Sequence, residues 1–107
     1  VEADREKFVV VCLETKNQLT AINICHVGSL NASIVHPREV MKAAILSNSA
    51  SIIVAHNHPS GRCESSREDI EVTKRLVEAG KVIGIDVLDH LIVYLERYLS
   101  LKEKGYL

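Results

Sequence analysis

A chain of 107 residues has the length of one domain, with enough material for a real core. Its balance of 47% apolar and 25% charged residues is that of an ordinary folded domain, and a formal net charge of -1 gives no electrostatic grip on a phosphate backbone. There is no apolar run of the roughly 18 residues a membrane helix requires and no signal-peptide pattern, so the expectation is a cytoplasmic protein.

The chain opens at Val1 on a charged stretch of helix-forming composition, Glu2-Ala3-Asp4-Arg5-Glu6. The expected organisation is therefore a single domain over residues 1–107 that forms the C-terminal part of something longer. From Lys7 to Leu13 the residues are apolar at both parities, the pattern of a strand covered on both faces. Thr15-Lys16-Asn17-Gln18 is a polar gap suited to a hairpin, and Leu19 to Val27 reads as a second, antiparallel strand that Gly28-Ser29 interrupts. Asn31 to Val35 offers a short extension. Pro37 suits the first position of a helix, where its missing N–H costs nothing, and Glu39 complements the positive end of the helix dipole. That helix is expected to run to Leu46 and stop near Ser47-Asn48.

Ser51-Ile52-Ile53-Val54-Ala55 is short, uncharged and β-branched, as in a buried strand. After a loop, Ser66 precedes Asp69 by three residues, close to a capping box, and Ile70, Thr73, Leu76 and Val77 make one stripe of a helix ending at Gly80. Two further apolar runs, Val82 to Leu88 and Leu91 to Leu95, are separated by Asp89-His90 and read as the last strands. The polar tail from Glu96 to Leu107 is expected to be loosely held. The order strand, strand, helix, strand, helix, strand, strand predicts an α/β fold with a mixed sheet and helices on its faces.

The chemistry gathers at His56-Asn57-His58-Pro59-Ser60-Gly61 and Asp69. Histidines at i and i+2 on extended chain point to the same side, so His56 and His58 would present two imidazoles where the strand breaks, and Asp69 can complete a three-ligand set. Nitrogen ligands with one carboxylate suit zinc and leave a fourth position for water, as in catalytic sites. A pair of histidines by itself is more often a surface or hydrogen-bonded feature, and Ser66 with Asp69 is equally readable as a plain helix cap. The cap and ligand roles are compatible, because a first helical turn can aim Asp69 while the cap orders the loop. The three cysteines, Cys12, Cys25 and Cys63, have no CxxC spacing. Cys12 and Cys25 sit in apolar runs as small hydrophobes, which fits a reducing compartment. Cys63 lies between His58 and Asp69 and is read as an exposed loop thiol, with a closing fourth ligand as the alternative.

The spacing His56-x-His58-Pro59, six residues, Ser66, two residues, Asp69 resembles the JAMM motif of the MPN-domain metalloproteases. The wider words Val35-His36-Pro37-Arg38-Glu39, Thr73-Lys74-Arg75-Leu76 and Leu88-Asp89-His90-Leu91-Ile92-Val93 look like the RadC branch of that superfamily. One departure is Ser65, where such chains usually carry proline just before the motif serine. The resemblance implies a three-layer α/β/α MPN fold, similar in layout to cytidine deaminases, with zinc held by His56, His58 and Asp69. Deaminase chemistry itself is set aside because it needs H-x-E followed by P-C-x-x-C, and HNH nucleases because their name labels dispersed residues.

A zinc hydrolase needs a general base, and the candidates are Glu6, Glu14 and Glu39. The resemblance implies an early glutamate leading into the first strand, which favours Glu6 over Glu14 and Glu39; the alternative reading of Glu6 is one more charge on a solvated amphipathic helix. Ser66 matches the serine thought to steady the oxyanion. Asn57 is expected to fix the loop, His90 to be a turn histidine or to support a ligand, and His26 and His36 carry no signal beyond position. The implied function is a JAMM-type metallopeptidase acting on an unidentified peptide or isopeptide bond. The alternative is a DNA-repair or recombination-associated module whose metal domain is structural or regulatory, nucleic acid being met elsewhere in a full chain. Few aromatics and near-neutral charge make this domain itself a poor nucleic-acid binder.

Overall fold

The computed structural model describes residues 6–28, 36–57 and 65–107, with the backbone alone for Glu6 and residues 26–28. Its elements are β1 (Glu6–Leu13), β2 (Leu19–Gly28), α1 (Pro37–Leu46), β3 (Ser51–Asn57), α2 (Arg67–Ile83), β4 (Asp86–Tyr94) and β5 (Arg97–Ser100). They build one five-stranded mixed sheet in the order β2-β1-β3-β4-β5. The β3–β4 pair is parallel and the other pairs are antiparallel, so α2 is the crossover that a parallel pair requires. The suggested extension over Asn31 to Val35 lies outside the described residues.

The β1–β2 hairpin turns where the polar gap predicts. Asn17 takes φ 61°, a left-handed conformation that asparagine tolerates, and its N–H donates to the Glu14 carbonyl at 2.8 Å. The Glu14 carboxylate accepts from the backbone N–H of Lys16 and of Gln18, the latter at 3.2 Å. α1 starts at Pro37 as expected, and His36 is its N-cap, with Nδ1 accepting from the Arg38 N–H at 3.1 Å.

Alternation sorts the sheet into two faces. Phe8, Val10 and Cys12 of β1 and Ile52 and Val54 of β3 are buried against Val40, Met41 and Ala44 of α1 and Val72 and Leu76 of α2. Both helices therefore share one face. The other face carries half-buried Val9, Val11 and Ile53, with Ile22 and Ile24 each 60% exposed at the β2 edge. Of the expected three layers, the described residues supply the sheet and one helical layer.

Three expectations for the C-terminal half are corrected. α2 does not end at Gly80 but runs to Ile83, and Val82 and Ile83 are helical. The terminator is Gly84 at φ 90°, with the Gly84 and Ile85 N–H groups both donating to the Gly80 carbonyl at 2.7 and 3.0 Å. Asp89-His90 does not separate two strands: β4 is continuous, with Ile52 opposite Val87 and Ile53 opposite Asp89, so Leu88 is an extra residue at a bulge. The tail is not loose, because its first part is β5, Leu101 is fully buried, and Asp89 accepts from Ser100 Oγ at 2.6 Å and from the Lys102 N–H at 3.1 Å. No helix among the described residues is long and apolar enough to cross a membrane.

Candidate metal centre

His56 enters the site as a strand residue. β3 continues two residues beyond Ala55, which puts His56 on the helix-covered face opposite Phe8 of β1 and Ile92 of β4. It is 3% exposed. Phe8 stacks on its ring at a centroid distance of 5.6 Å and an interplanar angle of 15°, shielding one face of the imidazole. Asn57, on the opposite parity, accepts from the Lys7 N–H through Oδ1 at 2.7 Å and ties the end of β3 to β1.

Asp69 arrives from the first turn of α2. The capping box predicted from Ser66-x-x-Asp69 is present: the Asp69 N–H donates to Ser66 Oγ at 3.1 Å, and the Ser66 N–H donates to Asp69 Oδ2 at 2.8 Å. With Oδ2 held, Oδ1 stands 3.0 Å from His56 Nε2. Asp69 is 8% exposed. The box therefore both starts the helix and orients the carboxylate. Ser66 Oγ accepts in this box with a lone pair, which leaves its hydroxyl hydrogen to be directed at another acceptor.

Behind His56 lies a residue that sequence reasoning favoured as part of a turn. His90 is fully buried on β4, opposite Val54, with its Nε2 2.9 Å from His56 Nδ1. Its Nδ1 is 2.5 Å from Thr73 Oγ1, and that hydroxyl donates to the Asp69 backbone carbonyl at 2.8 Å. The signal for His90 was the apolar run on either side of it, which marks strand rather than turn; the adjacent Asp89 obscured it. Thr73 reads as one more stripe residue of α2 until the strands are assembled.

The remaining candidates are distributed as follows. His58 and Cys63 lie outside the described residues, and among those described no three His, Cys, Asp or Glu side chains converge as a metal set. Glu6 is the first residue of β1, two before Phe8, and so belongs by register to the end of the sheet that carries His56. Glu14 is at the opposite end, past the Leu13–Ser51 pair, where its carboxylate is engaged in the hairpin. Glu39 is exposed in the first turn of α1, 3.7 Å from the Arg38 guanidinium.

The donor chemistry of the two described members fits zinc. Zinc bonds of about 2.0–2.1 Å to histidine nitrogen and carboxylate oxygen, at a tetrahedral angle, put ligand atoms about 3.3 Å apart. The observed 3.0 Å is a few tenths shorter. A carboxylate oxygen offers only lone pairs, so at this distance the approach is bridged either by a hydrogen on Nε2 or by a bound cation.

The model of the RadC-like JAB domain matches residues 1–106 of this chain. Among similar proteins, the UPF0758 protein Mbar_A2303 of Methanosarcina barkeri is 57% identical over 105 residues, covering 98% of this chain and 46% of its own length. The UPF0758 protein TTE0897 of Caldanaerobacter subterraneus subsp. tengcongensis is 62% identical over 102 residues, covering 95% of this chain and 44% of its own. The UPF0758 protein GK2618 of Geobacillus kaustophilus is 59% identical over 102 residues, with 95% and 45% covered. The chain thus spans about half the length of the curated relatives it matches.

Proposed function

The chain belongs to the RadC-like JAB domain family, and from that premise we propose that it is a zinc-dependent hydrolase of the JAMM type, cleaving a peptide or isopeptide bond. The observation that supports this most is the buried approach of His56 Nε2 to Asp69 Oδ1, at 3.0 Å, within the His56-x-His58 and Ser66-x-x-Asp69 spacing. His56, His58 and Asp69 are the residues that would hold the metal. Zinc, when bound, supplies Lewis-acid polarisation of a carbonyl and acidifies water.

The protein's own groups divide the remaining work. Asp69, locked by the Ser66 N–H, keeps one oxygen aimed at the centre, and Phe8 excludes water from one face of His56. Glu6 is assigned as the base that accepts the proton of the attacking water and returns it to the leaving amine. Ser66 Oγ is assigned as the donor to the oxyanion that develops on the substrate carbonyl. Nucleic acid is not assigned as a partner of this domain, since a net charge of -1 provides no counterion-releasing surface.

Metal analysis of the purified protein tests the site. About one zinc per chain is expected in the wild type, with depletion in His58→Ala and in Asp69→Ala. Full retention in both variants would remove the proposed ligand set. Glu6→Gln is expected to keep the metal and lose peptide or isopeptide cleavage, because an amide of the same shape cannot take the proton. Unchanged cleavage in that variant would move the base elsewhere.

A further inference from the structure

His56, His90, Thr73 and Asp69 form a closed circuit. It leaves the Asp69 backbone carbonyl, passes Thr73 Oγ1 at 2.8 Å, His90 Nδ1 at 2.5 Å and the His90 Nε2 to His56 Nδ1 contact at 2.9 Å, and returns to the Asp69 carboxylate at 3.0 Å. Thr73 and His90 are fully buried, so water does not arbitrate the directions of these bonds.

One end of the circuit has a fixed polarity. A carbonyl only accepts, so the single Thr73 hydroxyl hydrogen is spent on Asp69 O, and Thr73 Oγ1 can then only accept from the His90 ring. His90 Nδ1 therefore carries a hydrogen. In a neutral imidazole the other nitrogen is then bare, so His90 Nε2 accepts, and the donor to it is His56 Nδ1–H. This leaves the His56 Nε2 lone pair directed to the side where Asp69 stands. The opposite polarity, with Thr73 donating to His90, would give up the bond to Asp69 O and place a hydrogen on His56 Nε2, closing it to a metal.

We infer that Thr73 and His90 are positioning residues that hold His56 in the Nδ1-protonated tautomer, keeping its Nε2 available as a metal ligand. The inference rests on the reading of His56 and Asp69 as metal ligands, and it adds two residues that touch neither metal nor substrate. His90 acts on the centre through the His56 ring, and Thr73 through that ring and through the Asp69 backbone carbonyl. Because Thr73 takes its own polarity from the Asp69 backbone, the two ligands are prepared by one network rather than separately.

Two measurements on the intact chain test it. In zinc competition against a chromophoric chelator, Thr73→Val, which keeps shape and removes the hydroxyl, is expected to bind about 10- to 100-fold more weakly than wild type, and Thr73→Ser is expected to restore affinity. His90→Leu should weaken zinc binding at least as much, with far-UV circular dichroism used to select conditions where each variant is folded. Long-range 1H–15N correlation spectra of the metal-free wild type are expected to show hydrogens on Nδ1 of both His56 and His90 and none on His90 Nε2. A hydrogen on His90 Nε2, or equal zinc affinity in wild type and folded Thr73→Val, would overturn the inference. Absence of zinc binding by the wild type would instead remove the metal reading, and the metal-free spectrum would still decide the polarity of the circuit.

Discussion

Asp69 divides its carboxylate between two tasks. Oδ2 takes the Ser66 N–H and starts α2, while Oδ1 meets His56 Nε2, so one side chain both stops a loop and engages the buried imidazole. Cysteine chemistry is arranged at the same scale. Burial raises the pKa of the half-buried Cys25 thiol, and the neighbouring Cys12 thiol and the negative charge of Glu39 push it further the same way. A raised pKa means that the nucleophilic thiolate appears only at higher pH than for a free cysteine. Alkylation of Cys25 by iodoacetamide, followed by peptide mapping, is therefore expected to be slow near pH 8, with a rate profile displaced to the alkaline side of a model thiol. A profile coincident with the model thiol would refute the protective role of that burial.

α2 shows how a helix's contacts decide what its residues mean. A glycine in a helix interior normally costs about 1 kcal/mol relative to alanine, so Gly80→Ala would stabilise an isolated helix. In this fold a Cβ at residue 80 would press into the Ile85 carbonyl oxygen, which is backbone and cannot rotate away. Gly80→Ala is therefore expected to destabilise the protein by about 1–3 kcal/mol, the range for overpacking. A lower urea midpoint at unchanged slope is the expected result, and a raised midpoint would show that the chain after Gly84 moves aside easily. The β4–β5 hairpin carries a local strain of its own, since exposed Leu95 takes φ 55° at the turn.

Across the whole molecule, stability is lodged on one face of the sheet. Ile52, Val54 and Val10 are fully buried with the two helices, whereas Ile24 on the opposite face is 60% exposed. Ile52→Ala is expected to cost about 2–5 kcal/mol, a large share of the roughly 5–15 kcal/mol by which domains are stable. Ile24→Thr is expected to stay within about 0.5 kcal/mol. Thermal or urea unfolding of the two variants checks the contrast. A large loss in Ile24→Thr would mean that the second face is packed in solution.

What the sequence by itself determined was local in origin. The hairpin at Asn17, the Pro37 start, the strand leading to His56 and the Ser66–Asp69 box each depend on neighbours within a few residues. The tertiary structure decided the rest. His56 and His90 lie 34 residues apart in the chain and His90 and Thr73 lie 17 apart, so the network behind the centre exists only once β3, β4 and α2 are packed together. The same holds for Gly80, whose meaning is set by the Ile85 carbonyl after the chain has turned back. It holds also for Asp89, a polar residue in an apolar run, which marks a boundary in one dimension and a bulge anchored to Ser100 and Lys102 in three. Short-range spacing encodes the Ser66–Asp69 box that holds one carboxylate, and the contacts behind His56 come from long-range packing.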